Sequence, residues 1–216
     1  MKAYEIHKVD GVNQLKFVDR IEPTPGAGQV LVKVRATSIN DRDRTICKGT
    51  YPFALNLPLV PLSDGVGEVV ALGEGVTRVK IGDRVCGHFV QKWIAGELTE
   101  WMTQFTLGSI LPGMLAEYVV LDETGVVPVP EHLTDEEAAT LPSAALTAWH
   151  CLMTERGILT PGHRESFEAM NRAIAISQLH PVIDRVFDFE QAQAAFDYMD
   201  SGKYFGKVVI GSPKIG

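Results

Sequence analysis

The feature that most limits the fold is the punctuation of roughly the first 130 residues: short β-branched runs, each cut off by glycine or proline before it can lengthen. Val30-Leu31-Val32-Lys33-Val34-Arg35-Ala36 is entered from the turn Pro25-Gly26-Ala27-Gly28 and alternates in part, which is the period of a strand. Leu15 to Val18, Gly67 to Gly73, Asp83 to Gly87 and Leu115 to Leu121 read the same way. Short strands joined by Gly/Pro turns predict a closed or partly closed barrel.

Beyond that point the pattern turns helical. Thr134 can cap a helix, and Glu137 three residues later completes a capping box. Pro142 opens a second helix, Ser143 to about Arg156, ended by Gly157. After Thr160-Pro161-Gly162 a third pattern, Arg164 to Ile176, places Phe167, Met170, Ala173, Ile174 and Ser177 near one face. A strand over Pro181 to Val186, a helix from Phe189 to Asp200 and an apolar strand, Gly206 to Ile210, close the chain.

The 216 residues are 45% hydrophobic and 22% charged, proportions that allow one sizeable core. The net charge of -7, with no basic stripe, argues against nucleic acid as a partner. Three cysteines far apart exclude a disulfide framework and fit a reducing cytoplasm. No stretch reads as a signal peptide or a membrane span. A dinucleotide loop needs a strand, Gly-x-Gly-x-x-Gly and a helix. Gly65-Val66-Gly67 enters a strand and Gly73-Glu74-Gly75 a turn, and both lack the third glycine.

Five stretches, in order, resemble the medium-chain dehydrogenase/reductase family, in particular its zinc-independent quinone oxidoreductase-like branch. They are Pro58 to Val70, Val79 to Val85, Ala138 to Trp149, Pro181 to Asp184 and Phe205 to Ile210. The resemblance implies a mainly β fold with flanking helices (α+β), a GroES-like partly open β-barrel. No doubly wound Rossmann sheet is expected. In the family a cofactor-binding domain follows the turn matched by Thr160-Pro161-Gly162; here His163-Arg164-Glu165 follows directly. The expected organisation is a single catalytic domain, residues 1–162 and 163–216 joined where that cofactor-binding domain is normally inserted. NADPH would serve the parent enzyme, no cofactor is expected in this chain, and hydride transfer by the chain alone is not expected.

In the family's zinc enzymes the position of Asn40 is a cysteine, and Gly-His-Glu stands where Leu62-Ser63-Asp64 is found, so no metal site is expected. Asn40 and Asp43 match a pair that lies beside nicotinamide and substrate in similar reductases and are the catalytic candidates. They read equally as an N-cap and a first-turn acid. Asp41, Arg42 and Arg44 read as a solvated face. Tyr51 is either a pocket-lining residue stacking on a flat acceptor or a turn aromatic. The aromatic-rich stretch from His88 to Ile110, with Trp93 and Trp101, reads as a lid over the substrate or as a domain-interface surface. Thr147 and Lys207 match positions at the cofactor cleft; their alternatives are a core helix residue and a surface strand charge. The implied partner is a small flat hydrophobic acceptor, a quinone or enone, with self-association through an exposed former interface as the rival reading.

Overall fold

The computed structural model describes residues 1–10, 15–153 and 162–213. β1 (Lys2–Ile6) and β2 (Leu15–Asp19) form a two-stranded antiparallel sheet. A seven-stranded sheet follows, built on the long β3 (Gln29–Ser38). β3 pairs antiparallel with β4 (Asp64–Leu72), with β6 (Tyr118–Asp122) at its start, and with β9 (Lys207–Gly211) at its end. β5 (Arg84–Gly87) and β7 (Val126–Pro128) extend the β4 side. β8 (Ile183–Phe187) lies parallel to β9. The sheet has free ends and does not close, so the partly open form of the expected barrel is the one found. Among the described residues the β8–β9 pair is the single parallel strand pairing, so no doubly wound sheet is present there.

The glycines of the two near-dinucleotide patterns serve the sheet. A Cβ on Gly67 would stand 2.3 Å from the Lys33 carbonyl oxygen, and one on Gly73 would stand 1.7 Å from the Gly26 carbonyl oxygen. Both positions need a backbone without a side chain because another strand or turn passes against them. Gly75, at φ +77°, makes the turn. None of the four opens a helix.

Six α-helices flank the sheet among the described residues: α1 (Asp41–Cys47), α2 (Glu100–Thr103), α3 (Asp135–Ala138), α4 (Leu146–Met153), α5 (Arg164–Ser177) and α6 (Ala192–Asp200). The Thr134 capping box is formed: Thr134 Oγ1 accepts from the Glu137 amide at 3.2 Å, and the Glu137 carboxylate accepts from the Thr134 amide at 2.9 Å. The helix expected from Ser143 begins instead as a π-helical turn, Leu141–Ala145, before α4. Its expected end near Arg156 and Gly157, and the turn at Thr160-Pro161, lie outside the described residues.

The segments on either side of that stretch share one core. Phe167, Met170 and Ile174 of α5 are buried against Leu133, Leu141, Leu146 and Val209. They sit three and four residues apart, the stripe that a helix needs to bury one face. The start of α5 is also tied to the loop after β5. The Arg164 amide donates to the Trp93 carbonyl at 3.0 Å, and the buried His88 ring lies 2.8 Å from the Gly162 carbonyl oxygen. A second core packs Tyr4, Ile39, Ile46 and Leu59 with Phe189 and Phe196, and a third fills the curl of the sheet with Val30, Val32, Val69 and Val119.

Candidate functional site

The end of β3 delivers Ile39 and Asn40 to the start of α1, with Asn40 as the N-cap. The Asn40 amide N–H donates to Asp43 Oδ2 at 2.8 Å, so the three-residue spacing brings the pair into one helical turn. Asp43 is 1% exposed, and its Oδ1 has no hydrogen-bond partner. Burial is the main reason its carboxyl is pushed up from 3.8 to about 6; the nearby Arg42 guanidinium and the Asn40 amide bond pull the other way.

Lys207 arrives from β9. The register sets Ser38 opposite Val209, and the Ile39 amide donates to the Val208 carbonyl at 3.1 Å, so the Lys207 side chain falls beside Asn40. Its Nζ donates to the Ile39 carbonyl at 2.9 Å and to Asn40 Oδ1. This position is neither an outward strand charge nor a free arm: the ammonium is enclosed, and burial lowers its pKa, opposed by Asp64 and Asp43.

Asp64, wholly buried, fixes the opposite wall. Ser143 donates its amide to Asp64 Oδ2 at 3.0 Å and its hydroxyl to Asp64 Oδ1 at 2.6 Å, while the Ser63 hydroxyl donates to the same Oδ1 at 2.8 Å. The π-helical turn thereby holds Ser143, Ala144 and Thr147 across from Asn40. Turns of this kind recur where a helix must offer groups to a site. Asn40, Arg42, Phe89, Ser143, Ala144 and Thr147 line an open cleft of about 300 Å³.

Arg42 corrects the sequence reading. It is not on a solvated face: its side chain is 15% exposed, with the guanidinium 5.0 Å from the Tyr51 ring centre and 4.8 Å from that of Phe89. Nε donates to the Tyr51 hydroxyl at 3.1 Å and Nη2 to the Leu107 carbonyl at 3.1 Å. A guanidinium stacked on two rings keeps both aromatics in place, which an ammonium would do poorly. Arg42 stands four residues before the buried Ile46 on α1, a spacing that signals a shared face. Asp41 and Arg44 do lie outside, Arg44 paired with Asp41 and with Asp200 of α6.

Tyr51 and Phe89 also line a second, larger pocket of about 450 Å³, roofed by Leu98, Glu100, Thr103 and Gln104 from the segment between β5 and β6. Phe89 belongs to both spaces, so they meet at the Arg42 stack. The two tryptophans of this segment lie elsewhere. Trp93 is 4% exposed and lines neither pocket; its indole N–H donates to the Gly96 carbonyl at 3.0 Å and its ring meets His163 edge-on. It anchors the start of α5. Trp101 is 61% exposed and meets Phe105 at a 60° tilt with ring centres 4.9 Å apart, while its helix neighbours Glu100 and Thr103 line the pocket.

The residues at this cleft do not fit a zinc ion. Asn40 Oδ1 holds an ammonium, and both Asp64 oxygens are engaged by Ser63 and Ser143. Among the described residues no group of three His, Cys, Asp or Glu converges as metal ligands would. Cys47 is buried, with its thiol pushed up to about 12 by burial, so it offers no thiolate.

Residues 26–131 match the alcohol dehydrogenase GroES-like domain. The chain is 41% identical over 151 residues to a zinc-type alcohol dehydrogenase-like protein of Schizosaccharomyces pombe, covering 69% of this chain and 44% of that protein. It is 34% identical over 154 residues to a chloroplast envelope quinone oxidoreductase homolog of Arabidopsis thaliana, covering 70% and 41%. The chain thus spans less than half the length of these curated relatives. In fold it superposes on a Sinorhizobium meliloti structure named as an alcohol dehydrogenase with a TM-score of 0.89 at 24% identity, covering 97% of this chain and 98% of that one. No described helix is long and apolar enough to cross a membrane.

Proposed function

Since the chain belongs to the medium-chain dehydrogenase/reductase family through its alcohol dehydrogenase GroES-like domain, we propose that it is the acceptor-binding part of a zinc-independent, NADPH-dependent quinone or enone oxidoreductase. Hydride chemistry in such an enzyme belongs to the nicotinamide, and the residues of this chain bind and orient the acceptor. The observation that carries the reading is the Arg42 stack. Two aromatic rings, held rigidly by one guanidinium, face adjoining spaces of about 300 and 450 Å³ in which a flat conjugated ring fits. Asn40 stands at the edge of that surface as the polar group that meets the acceptor oxygen.

Hydride transfer needs donor and acceptor in near-attack contact, and this 216-residue chain supplies the acceptor side. Binding without turnover is therefore the expected behaviour. Duroquinone, whose four methyl groups block thiol addition, is the probe. On a ¹⁵N-labelled sample its addition is expected to shift the amides of Asn40, Tyr51, Phe89 and Thr103 saturably, leaving β1 and β2 unmoved. Shifts scattered over the surface, or none up to the quinone's solubility, would remove the acceptor site from the account.

A second reading rests on a different observation. Leu152 and Met153 at the end of α4 are 79% and 62% exposed, an apolar pair of the kind that protein interfaces cover. A binding module that self-associates through this face would show a sedimentation coefficient rising with concentration and reduced by Leu152→Glu, with the duroquinone response unaffected.

A further inference from the structure

The hydrogen bonding around Asn40 leads one step further, on the premise that the cleft is an acceptor site. An ammonium only donates. Lys207 Nζ contacts the Ile39 carbonyl and one end of the Asn40 side chain, so that end is Oδ1. The other end, Nδ2, is buried without a hydrogen-bond partner. Asn40 lines the cleft whereas Lys207 does not, so the lysine holds the amide from behind. Among the described residues the unpartnered acceptor beside it, Asp43 Oδ1, faces Arg42 Nη1 at 3.7 Å and does not line the cleft.

A side-chain amide is nearly symmetric in shape and turns end for end unless its neighbours distinguish N from O. We propose that Lys207 is a positioning residue: it locks the Asn40 amide with its N–H₂ end toward the cleft, so that the site selects a carbonyl oxygen over a hydroxyl. A carbonyl oxygen takes the donated hydrogen bond and has no proton of its own to satisfy. A hydroxyl in the same place accepts equally well, but its own O–H must then be satisfied by the Ser143 or Thr147 hydroxyl or by water, a requirement that a carbonyl does not have.

The test is the ratio of dissociation constants for 1-tetralone and 1-tetralol, a flat ketone and its alcohol, neither of which alkylates Cys151. Both are titrated into the ¹⁵N-labelled chain. The ketone is expected to bind about tenfold more tightly, and its saturation to move the Asn40 side-chain N–H₂ resonances, which are identified by their loss in Asn40→Asp. In Lys207→Met the ratio is expected to fall toward one as the amide gains both orientations, and Lys207→Arg, which still only donates, to restore the preference. An unchanged ratio in Lys207→Met would overturn the proposal while leaving the acceptor site standing. Should Lys207→Met fail to fold, the parent chain alone decides: a tetralone-saturated sample whose Asn40 N–H₂ resonances do not move also overturns it. If neither compound binds, the acceptor site and the proposal fail together.

Discussion

Phe167→Ala is expected to lower the unfolding free energy by about 3–5 kcal/mol, the range for emptying a phenylalanine-sized space in a packed core. Phe167 is 0% exposed and lies among Leu133, Leu141, Leu146 and Val209, residues from both sides of the stretch 154–161. Urea denaturation at fixed pH measures the loss, and the midpoint temperature should fall on the order of 10 °C. Ile176→Ala, on the same helix but 86% exposed, is the control and should cost less than about 0.5 kcal/mol. A small loss at Phe167 would mean that α5 does not hold the two segments in one core.

The second large effect is a dependence on pH. The Asp43 carboxyl, at about 6 in the folded chain and 3.8 when exposed, binds its proton more tightly folded than unfolded. Between about pH 4 and pH 6 the folded state therefore holds a proton that the unfolded state has lost, and stability falls as pH rises through that window. Above it the full cost of burying the carboxylate is present, about 3 kcal/mol for a displacement of this size. Asp43→Asn removes the titration and keeps an oxygen for the Asn40 amide. The variant should match the parent near pH 4 and exceed it above pH 7 by up to about 3 kcal/mol. Denaturation curves for the two chains from pH 4 to pH 8, compared as differences, cancel the other carboxyls. A variant less stable than its parent at pH 7.5 would mean that Arg42 and Lys207 favour the charged form enough to outweigh burial.

Much of the architecture is legible from local pattern. The alternation in Val30 to Val34 sends those valines into the core of the curled sheet, and the spacing of Phe167, Met170 and Ile174 gives the buried face of α5. β1 and β7 escape such reading. Lys2–Ile6 mixes charge with apolar residues, and Val126–Pro128 is three residues long, so each is fixed by its neighbour strand rather than by its own sequence. The π-helical turn is equally silent, because Leu141–Ala145 has the composition of an ordinary helix start; the bonds from Ser143 to Asp64 mark the place.

Asn40 and Asp43 are legible in the sequence as a capping pair, which forms; of the two, Asn40 lines the cleft and Asp43 does not. Arg42 is missed because a charged residue between two acids looks solvated, although its spacing to Ile46 says otherwise. Lys207 is placed near the cleft by the family pattern, but its contact with Asn40 spans 167 positions and depends on the β3–β9 register. Trp93 and Trp101 show the limit of composition. An aromatic-rich segment reads as a lid or as an interface surface; in the structure Tyr51 and Phe89 line the pocket, Trp93 is buried by the start of α5 and Trp101 is exposed.

Whether this chain offers the acceptor side of the cleft and not the donor side is decided by titrating NADPH into it and following nucleotide fluorescence, with an intact relative alongside. A saturable response is expected from the relative and none from this chain up to millimolar cofactor, where any binding would be worth less than about 4 kcal/mol. Saturation at micromolar NADPH would show that the chain carries a nucleotide site of its own, and the donor side would then belong to it as well.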